Sequence, residues 1–320
     1  MSATYRRRLL VIYNPTAGAG KLGRRKRARL EAYLDLLEDA GCAVEFRPTA
    51  KRGDAEAFAG EGLAGKYDAV VAAGGDGTIG EVANGLPAQD AAPLGIFPLG
   101  TANVLAMETG LPLDPPAVMQ AVLHGPVAHV WPGFVNDRLF TIMAGIGFDA
   151  HVVADLRPGL KRWLGKGAYV LESLRQLAAY KVPRYRLVID GQDYDCASAV
   201  IAKGHFYGGR FVCAPDARLD APDFQVCLFG MGGRLGALRA TAALTAGLLR
   251  HLPEISLVRG RRIEIATLGD SAYAAGEPVQ ADGDIAARLP AVVTIGTRAI
   301  PLIVPAGSGL AQGMLQKAAE

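Results

Sequence analysis

The chain has 320 residues, half of them hydrophobic and a fifth charged, with 40 Gly, 19 Pro and a formal net charge of +3. That length buries a substantial core and holds two domains or one large one, which excludes a small stapled scaffold, and the composition excludes disorder and collagen. The charge is uneven: Tyr5 to Leu30 carries nine Lys/Arg and no acid, leaving 25 basic against 31 acidic residues elsewhere, as suits either a solvated helix face or an anionic partner such as phosphate, lipid head groups or nucleic acid.

Leu9-Leu10-Val11-Ile12-Tyr13 is a continuous apolar run, as expected of a strand buried on both faces of a parallel sheet. Leu30, Tyr33, Leu34 and Leu37 then fall at helical spacing, and Gly41 supplies the stop. Ala43 to Pro48 reads as a strand, Asp54 to Gly62 as a short helix, Ala69 to Ala73 as a strand, Thr78 to Asn84 as a helix and Leu94 to Pro98 as a strand. This alternation predicts a doubly wound, Rossmann-like α/β layer. From Val127 the rhythm changes to short strands with Gly, Pro and Asp turns: Leu139 to Ala144, Arg184 to Asp190, Ser198 to Lys203, Phe224 to Phe229, Arg262 to Ala266 and Ala291 to Ile295. That predicts an antiparallel β-rich domain, interrupted by helices near 167–180 and 235–249.

No membrane span is expected, because the most apolar late stretch, Gly236 to Leu252, contains Arg239 and Arg250. The start has too short an apolar run for a signal peptide. Cys42, Cys196, Cys213 and Cys227 have neither Cys-x-x-Cys nor zinc-like spacing and read as free thiols in a reducing cytoplasm. The five scattered histidines form no triad and read as structural.

Three strand ends carry chemistry. Gly18-Ala19-Gly20-Lys21-Leu22-Gly23 matches a dinucleotide fingerprint with Glu45 downstream, but Asn14 to Ala17 intervene after the strand and Glu45 lies inside its own strand, with Thr49 nearer the tip. A Walker A match fails too, since Leu22 follows the lysine where Ser or Thr is required. Gly74-Gly75-Asp76-Gly77-Thr78 leads from a buried strand into a helix, with Thr78 and Glu81 at capping-box spacing. Its glycines let backbone amides approach phosphate oxygens at the positive end of the helix, while Asp76 calls for a metal or a hydroxyl. Leu99-Gly100-Thr101-Ala102-Asn103 repeats the design, with Thr101 as expected N-cap. Two anion-facing helix starts at neighbouring strand tips imply a polyphosphate ligand.

Together, Asn14-Pro15-Thr16-Ala17-Gly18, Gly74 to Thr78 with Glu81 and Asn84, and Pro98 to Asn103 resemble the diacylglycerol kinase catalytic domain family, which includes sphingosine and ceramide kinases and soluble bacterial lipid kinases. The Gly-Gly-Asp-Gly-Thr element is shared with NAD kinases and phosphofructokinases; the three motifs in order are far more specific. Gly145-Ile146-Gly147-Phe148-Asp149, Gly208-Gly209 with Ala214 to Ala217, and Ala281-Asp282-Gly283-Asp284 extend the resemblance along the chain. The resemblance implies an α/β nucleotide-binding domain (1–126 plus about 297–320) and a C-terminal β-sandwich substrate domain (127–296), the last strand returning to the first domain and ATP bound between the two.

The resemblance also assigns roles. Asn14, Thr49, Gly74, Gly75, Asp76, Gly77, Thr78, Glu81, Gly100, Thr101 and Asn103 would bind ATP with Mg²⁺. Asp284 would act as general base, with Asp282 holding the turn or a metal and Asp76 as the further acid. Two departures stand out. Bacterial members carry Asp-Gly after the Pro-Asp-Ala segment, near a structural magnesium, whereas this chain has Leu219-Asp220-Ala221-Pro222-Asp223, leaving Asp220 and Asp223 as the candidate ligands. Asp284 also stands where Glu is usual, a carboxylate on a shorter stem. The expected activity is ATP-dependent phosphorylation of a hydroxyl on a diacylglycerol-like or sphingoid lipid, the alternatives being a soluble-metabolite kinase like NAD kinase and a nucleotide-binding lipid sensor without turnover. The segment Arg157 to Lys166, with Trp163, fits either an anionic membrane interface or a solvated loop, so location at the inner membrane surface is expected to be peripheral at most. A nucleic-acid partner is not expected, because no recognised module accompanies the basic cluster. Monomer and homodimer both remain open.

Overall fold

The computed structural model describes residues 5–15, 21–61, 65–86, 91–155, 183–269 and 275–311. The chain divides into two compact units, 1–130 with 298–320, and 131–297. Two expected features, the glycines at 18 and 20 and the whole stretch from 157 to 180 with Trp163, lie outside the described residues.

The first unit is a six-stranded sheet in the order β2-β1-β3-β4-β20-β5. It comprises β1 (Arg8–Tyr13), β2 (Ala43–Pro48), β3 (Ala69–Gly74), β4 (Leu94–Pro98), β5 (Val127–Val130) and the late strand β20 (Ile300–Ile303). β1 to β4 and β20 pair in parallel, and β5 closes the edge antiparallel to β20. Thus β5, which the change of rhythm at Val127 assigns to the second domain, completes the first sheet. All residues of β3 and β4 are buried, as their unbroken apolar runs require. The helices are α1 (Lys21–Asp39), α2 (Asp54–Gly60), α3 (Asp76–Gly85), α4 (Val104–Glu108) and α5 (Pro115–His124). Of the α1 stripe, Tyr33 and Leu37 are buried, and the Tyr33 ring stacks on Phe97 of β4 at 4.3 Å. α2 and α3 cross closely because position 85 is glycine: a Cβ there would lie 2.0 Å from the Glu56 carbonyl oxygen.

The second unit is a β-sandwich. One sheet orders β10 (Gln192–Cys196), β9 (Arg184–Ile189), β16 (Arg262–Leu268), β19 (Ala291–Ile295), β6 (Gly133–Val135) and β7 (Arg138–Phe140); the other orders β15 (Ile255–Gly260), β14 (Phe224–Phe229), β11 (Ser198–Ala202), β8 (Met143–Ile146), β17 (Pro278–Ala281) and β18 (Asp284–Arg288). A hairpin of β12 (Phe206–Tyr207) and β13 (Phe211–Val212), helix α6 (Phe148–Asp155) and helix α7 (Gly233–Thr245) complete the unit. Alternation builds its core: Tyr185, Leu187 and Ile189 of β9 point inward with Phe140, Phe224, Val226, Ile263 and Val293, while Arg184 and Arg186 point out to Asp195 and Asp193 of β10. β10 is too polar to be read as a strand from sequence; its pairing with β9 makes it one. The expected strand from Leu139 to Ala144 is two, β7 and β8, broken at Thr141 and Ile142 because their amides turn to a side chain described below.

Candidate functional site

In the first unit the candidate residues gather at the carboxyl ends of β1 to β4. The Asn14 amide donates to the Ala73 carbonyl (3.2 Å) and the Thr49 amide to that of Tyr13 (2.9 Å), which fixes the β1 and β2 tips beside β3. Gly74 ends β3. A Cβ there would stand 2.5 Å from Thr78 Oγ1, so the missing side chain lets the strand run straight into α3. The loops after β3 and β4 touch through their backbones: a Cβ on Gly100 would lie 2.5 Å from Gly75 Cα and 2.4 Å from Asn103 Oδ1, and the Leu99 amide donates to the Gly74 carbonyl at 2.9 Å.

Two capping expectations are corrected. α3 starts at Asp76, so Thr78 is a buried residue of its first turn and Glu81 makes no capping box; Glu81 Oε2 instead accepts from the Gly53 amide (3.1 Å) at the start of α2. The N-cap is Gly75, which has no side chain to occupy the first-turn amides. Likewise Thr101 is exposed and does not cap α4. Asn103 stands at that N-cap in the left-handed region (φ 50°), and Asp76 Oδ1 accepts from the Val104 amide at 2.7 Å and Leu105 at 3.4 Å. One negative end therefore already sits on α4, which leaves α3 as the helix start of this pair whose cap brings no side chain. Asn103 Nδ2 donates to the Gly100 carbonyl (3.1 Å), while its buried Oδ1 has no hydrogen-bond partner among the described residues.

Arg29, which composition places only in a general basic cluster, reaches this region from α1 and donates to the Pro98 carbonyl at 3.3 Å. Helical spacing back from the Tyr33 stripe was the available signal. Glu45 is engaged by Tyr67, Lys66 and Arg47, which hold its carboxyl down at about 2, and so is not presented at a strand tip for a ribose.

In the second unit Asp282 and Gly283 form the two-residue turn between β17 and β18, both with positive φ (47° and 84°), as the tightest hairpins require. The Asp282 carboxylate turns back and accepts four hydrogen bonds: from Thr141 N (2.7 Å), Thr141 Oγ1 (2.9 Å), Ile142 N (2.9 Å) and Met143 N (3.0 Å). Burial raises its pKa and these donors oppose the rise. Asp282 therefore holds the turn. Asp284 opens β18 opposite Ala281.

A second carboxylate, absent from the expected roles, supports the same turn. Asp149, at the start of α6, accepts from the Tyr207 hydroxyl and from Gln280 Nε2 (2.7 Å), and Gln280 Oε1 accepts from the Gly283 amide (2.9 Å). Burial raises the Asp149 pKa against those two donors. Gly145 makes the cluster possible, since a Cβ there would lie 2.6 Å from Asp149 Oδ2. Beside it His151 Nε2 meets Glu277 Oε2 at 2.6 Å, and Tyr185 donates to the same oxygen at 3.0 Å, all three side chains buried.

Asp220 and Asp223 are brought to one loop but do not converge. Asp220 pairs with Arg218 (2.8 Å) and Asp223 with Arg259 (2.8 Å), and no cluster of three metal-ligating side chains exists among the described residues. The centre of the loop instead holds the Lys203 ammonium, bound to the carbonyls of Arg218 (2.9 Å), Asp223 (2.9 Å) and Ala221. This donor set does not fit a structural divalent cation. All four cysteines are free thiols. Among the described residues no helix is long and apolar enough to cross a membrane.

Residues 8–133 match the model of the diacylglycerol kinase catalytic domain, and residues 142–304 that of the YegS C-terminal NAD kinase beta sandwich-like domain. A diacylglycerol kinase of Staphylococcus epidermidis is 30% identical over 291 residues, covering 89% of this chain and 88% of that protein. A Pseudomonas aeruginosa protein named probable lipid kinase YegS-like is 35% identical over 239 residues, covering 72% and 76% respectively. In fold, the chain is similar to a diacylglycerol kinase crystal structure from Bacillus anthracis (TM-score 0.72, 24% identity, covering 94% of this chain and 98% of that one).

Proposed function

The chain belongs to the diacylglycerol kinase catalytic domain family, as an ATP-dependent lipid kinase with an alcohol acceptor, and from that premise we propose how its residues divide the reaction. The observation that carries the proposal is the backbone contact of Gly75 with Gly100 at the tips of β3 and β4. It brings two glycine loops and the start of α3 to one place, where amides can surround phosphate oxygens without a side chain intervening. Gly74, Gly75, Gly77 and Thr78 hold the ATP phosphates, Gly100, Thr101 and Asn103 complete the cradle, and Asn14 and Thr49 border it. Asp76 and Glu81 act by fixing α4 and α2.

Magnesium carried by the nucleotide would neutralise charge on the phosphates that the glycine loops hold. The acceptor is a diacylglycerol-like lipid, a reading supported by the names of the relatives. A lipid alcohol is a poor nucleophile at neutral pH, so a carboxylate that takes its proton as the phosphoryl group arrives lowers the barrier. We assign that proton to Asp284, on a turn that Asp282, Asp149 and Gln280 keep in place. The basic first half of α1, with Arg25 and Arg27 exposed, draws the protein to anionic lipid surfaces as a peripheral enzyme of the cytoplasmic side.

Purified protein with labelled ATP and a panel of diacylglycerol, sphingosine and soluble alcohols tests the reading. Label is expected in a lipid hydroxyl; incorporation only into a soluble acceptor would remove the lipid assignment.

A further inference from the structure

Lys203 follows β11 and is wholly buried. An ammonium carries three donors and no acceptor, and burial without partners costs several kcal/mol. Here each donor has a partner, and all three partners are backbone carbonyls of one short loop, those of Arg218, Ala221 and Asp223. Carbonyl oxygens converging on a single centre are what a loop offers a hard cation. Two carboxylates of the loop, Asp220 and Asp223, are taken up by Arg218 and Arg259, so a divalent ion would have to compete with those guanidinium groups for a charged ligand.

We propose that the Lys203 ammonium is the loop's own cation, standing in for the structural magnesium that the family resemblance implies for this loop, so that the second unit folds without any divalent ion. The rest of the loop is built to match. Its two ends are tied by the Asp216 amide to Gln225 Oε1 (2.8 Å) and by Arg259, which binds both the Asp216 carbonyl (3.0 Å) and Asp223 Oδ2. The Leu219 carbonyl accepts from the Trp131 amide at 2.8 Å, which fastens the middle. Lys203 Nζ also lies over the Phe224 ring, 5.9 Å from its centroid. Burial pulls the ammonium pKa down to about 8, against the nearby Asp223 and Asp220, so it stays mostly charged at neutral pH.

The test separates this claim from the kinase assignment, because none of its readouts uses ATP or lipid. Full-length protein dialysed against EDTA is expected to hold no stoichiometric magnesium or calcium by elemental analysis. It should also melt at the same temperature before and after millimolar magnesium or calcium is added. Lys203→Met keeps the stem and removes the charge, so in EDTA it should melt several degrees below the parent, with faster amide exchange confined to 213–224. A stoichiometric divalent ion in the parent, or a clear rise in its melting temperature on adding the metal, overturns the proposal. So does a Lys203→Met protein as stable as the parent. If that variant fails to fold, the metal content and melting of the parent still decide.

Discussion

The glycine loops of the first unit and the acidic turn of the second are built by opposite means. The loops are a backbone construction: Gly74, Gly75 and Gly100 matter for the atoms they lack, and the contacts they permit lie within about one strand and one loop of sequence. The turn is a side-chain construction, in which the Asp282 carboxylate binds amides some 140 positions earlier in the chain and Asp149 reaches Gln280 across 131. The first kind of site fails when atoms are added, the second when a charge is taken away.

The largest expected effects fall on either side of that contrast. Asp284→Asn keeps size and removes charge, so turnover should drop by ~10² to 10⁴-fold with ATP affinity and melting temperature nearly unchanged, while Asp284→Glu, the residue usual in the family, should retain activity. Steady-state kinetics with nucleotide titration checks both; an Asn variant with parental turnover would move the base to another acid. Gly100→Ala attacks the other half by addition. Its methyl group has the Gly75 backbone 2.5 Å away, so the two loops must separate, and displacement on that scale costs about 10²-fold in kcat/KM together with ATP affinity. Unchanged nucleotide binding would show that the loops bind ATP without their contact.

Asp282→Ala should act on stability before activity. It leaves three amides and a hydroxyl without their acceptor, at a cost of about 3–5 kcal/mol in the second unit. Thermal unfolding measures it, and a variant that melts with the parent would mean that water replaces the carboxylate.

The same contrast explains what the sequence discloses. The strand–glycine–helix units were legible because the signals are local: an apolar run, a glycine cluster, a helix period. What misled was capping, where Thr78 and Thr101 have suitable side chains but the helices begin at residues chosen by the loop contact between Gly75 and Gly100 and by Asp76 binding α4. In the second unit Asp282-Gly283 was legible as a turn. Its four donors and the role of Asp149 were not, because the partners lie far away in sequence and only the fold brings them near; nor was the cage around Lys203, whose carbonyls belong to a loop 15 to 20 positions further on. A lysine after an apolar strand carries no sequence sign that it ends among carbonyls.

The smallest expected effect concerns Asp149, whose folded pKa burial raises above its unfolded value. A raised pKa means that the folded protein binds the proton more tightly than the unfolded chain. The contribution to stability is therefore full below the unfolded pKa, declines as pH rises through the interval up to the folded pKa, and is flat beyond it. Asp149→Asn cannot titrate. It also cannot accept from both Tyr207 and Gln280, because its amide nitrogen is a donor, which lowers stability by an amount that does not vary with pH. The stability of the variant relative to the parent should thus improve as pH rises from about 4 towards neutrality, by at most ~1.4 kcal/mol per pH unit for one proton. Taking the difference between the two proteins removes Asp282, which shifts the same way, and surface acids such as Asp68 and Asp193, which shift the other way. Denaturant unfolding at several pH values measures that difference. A constant offset would mean that the Asp149 carboxylate is as ionised in the fold as in the unfolded chain, and the two donors, rather than burial, would then govern it.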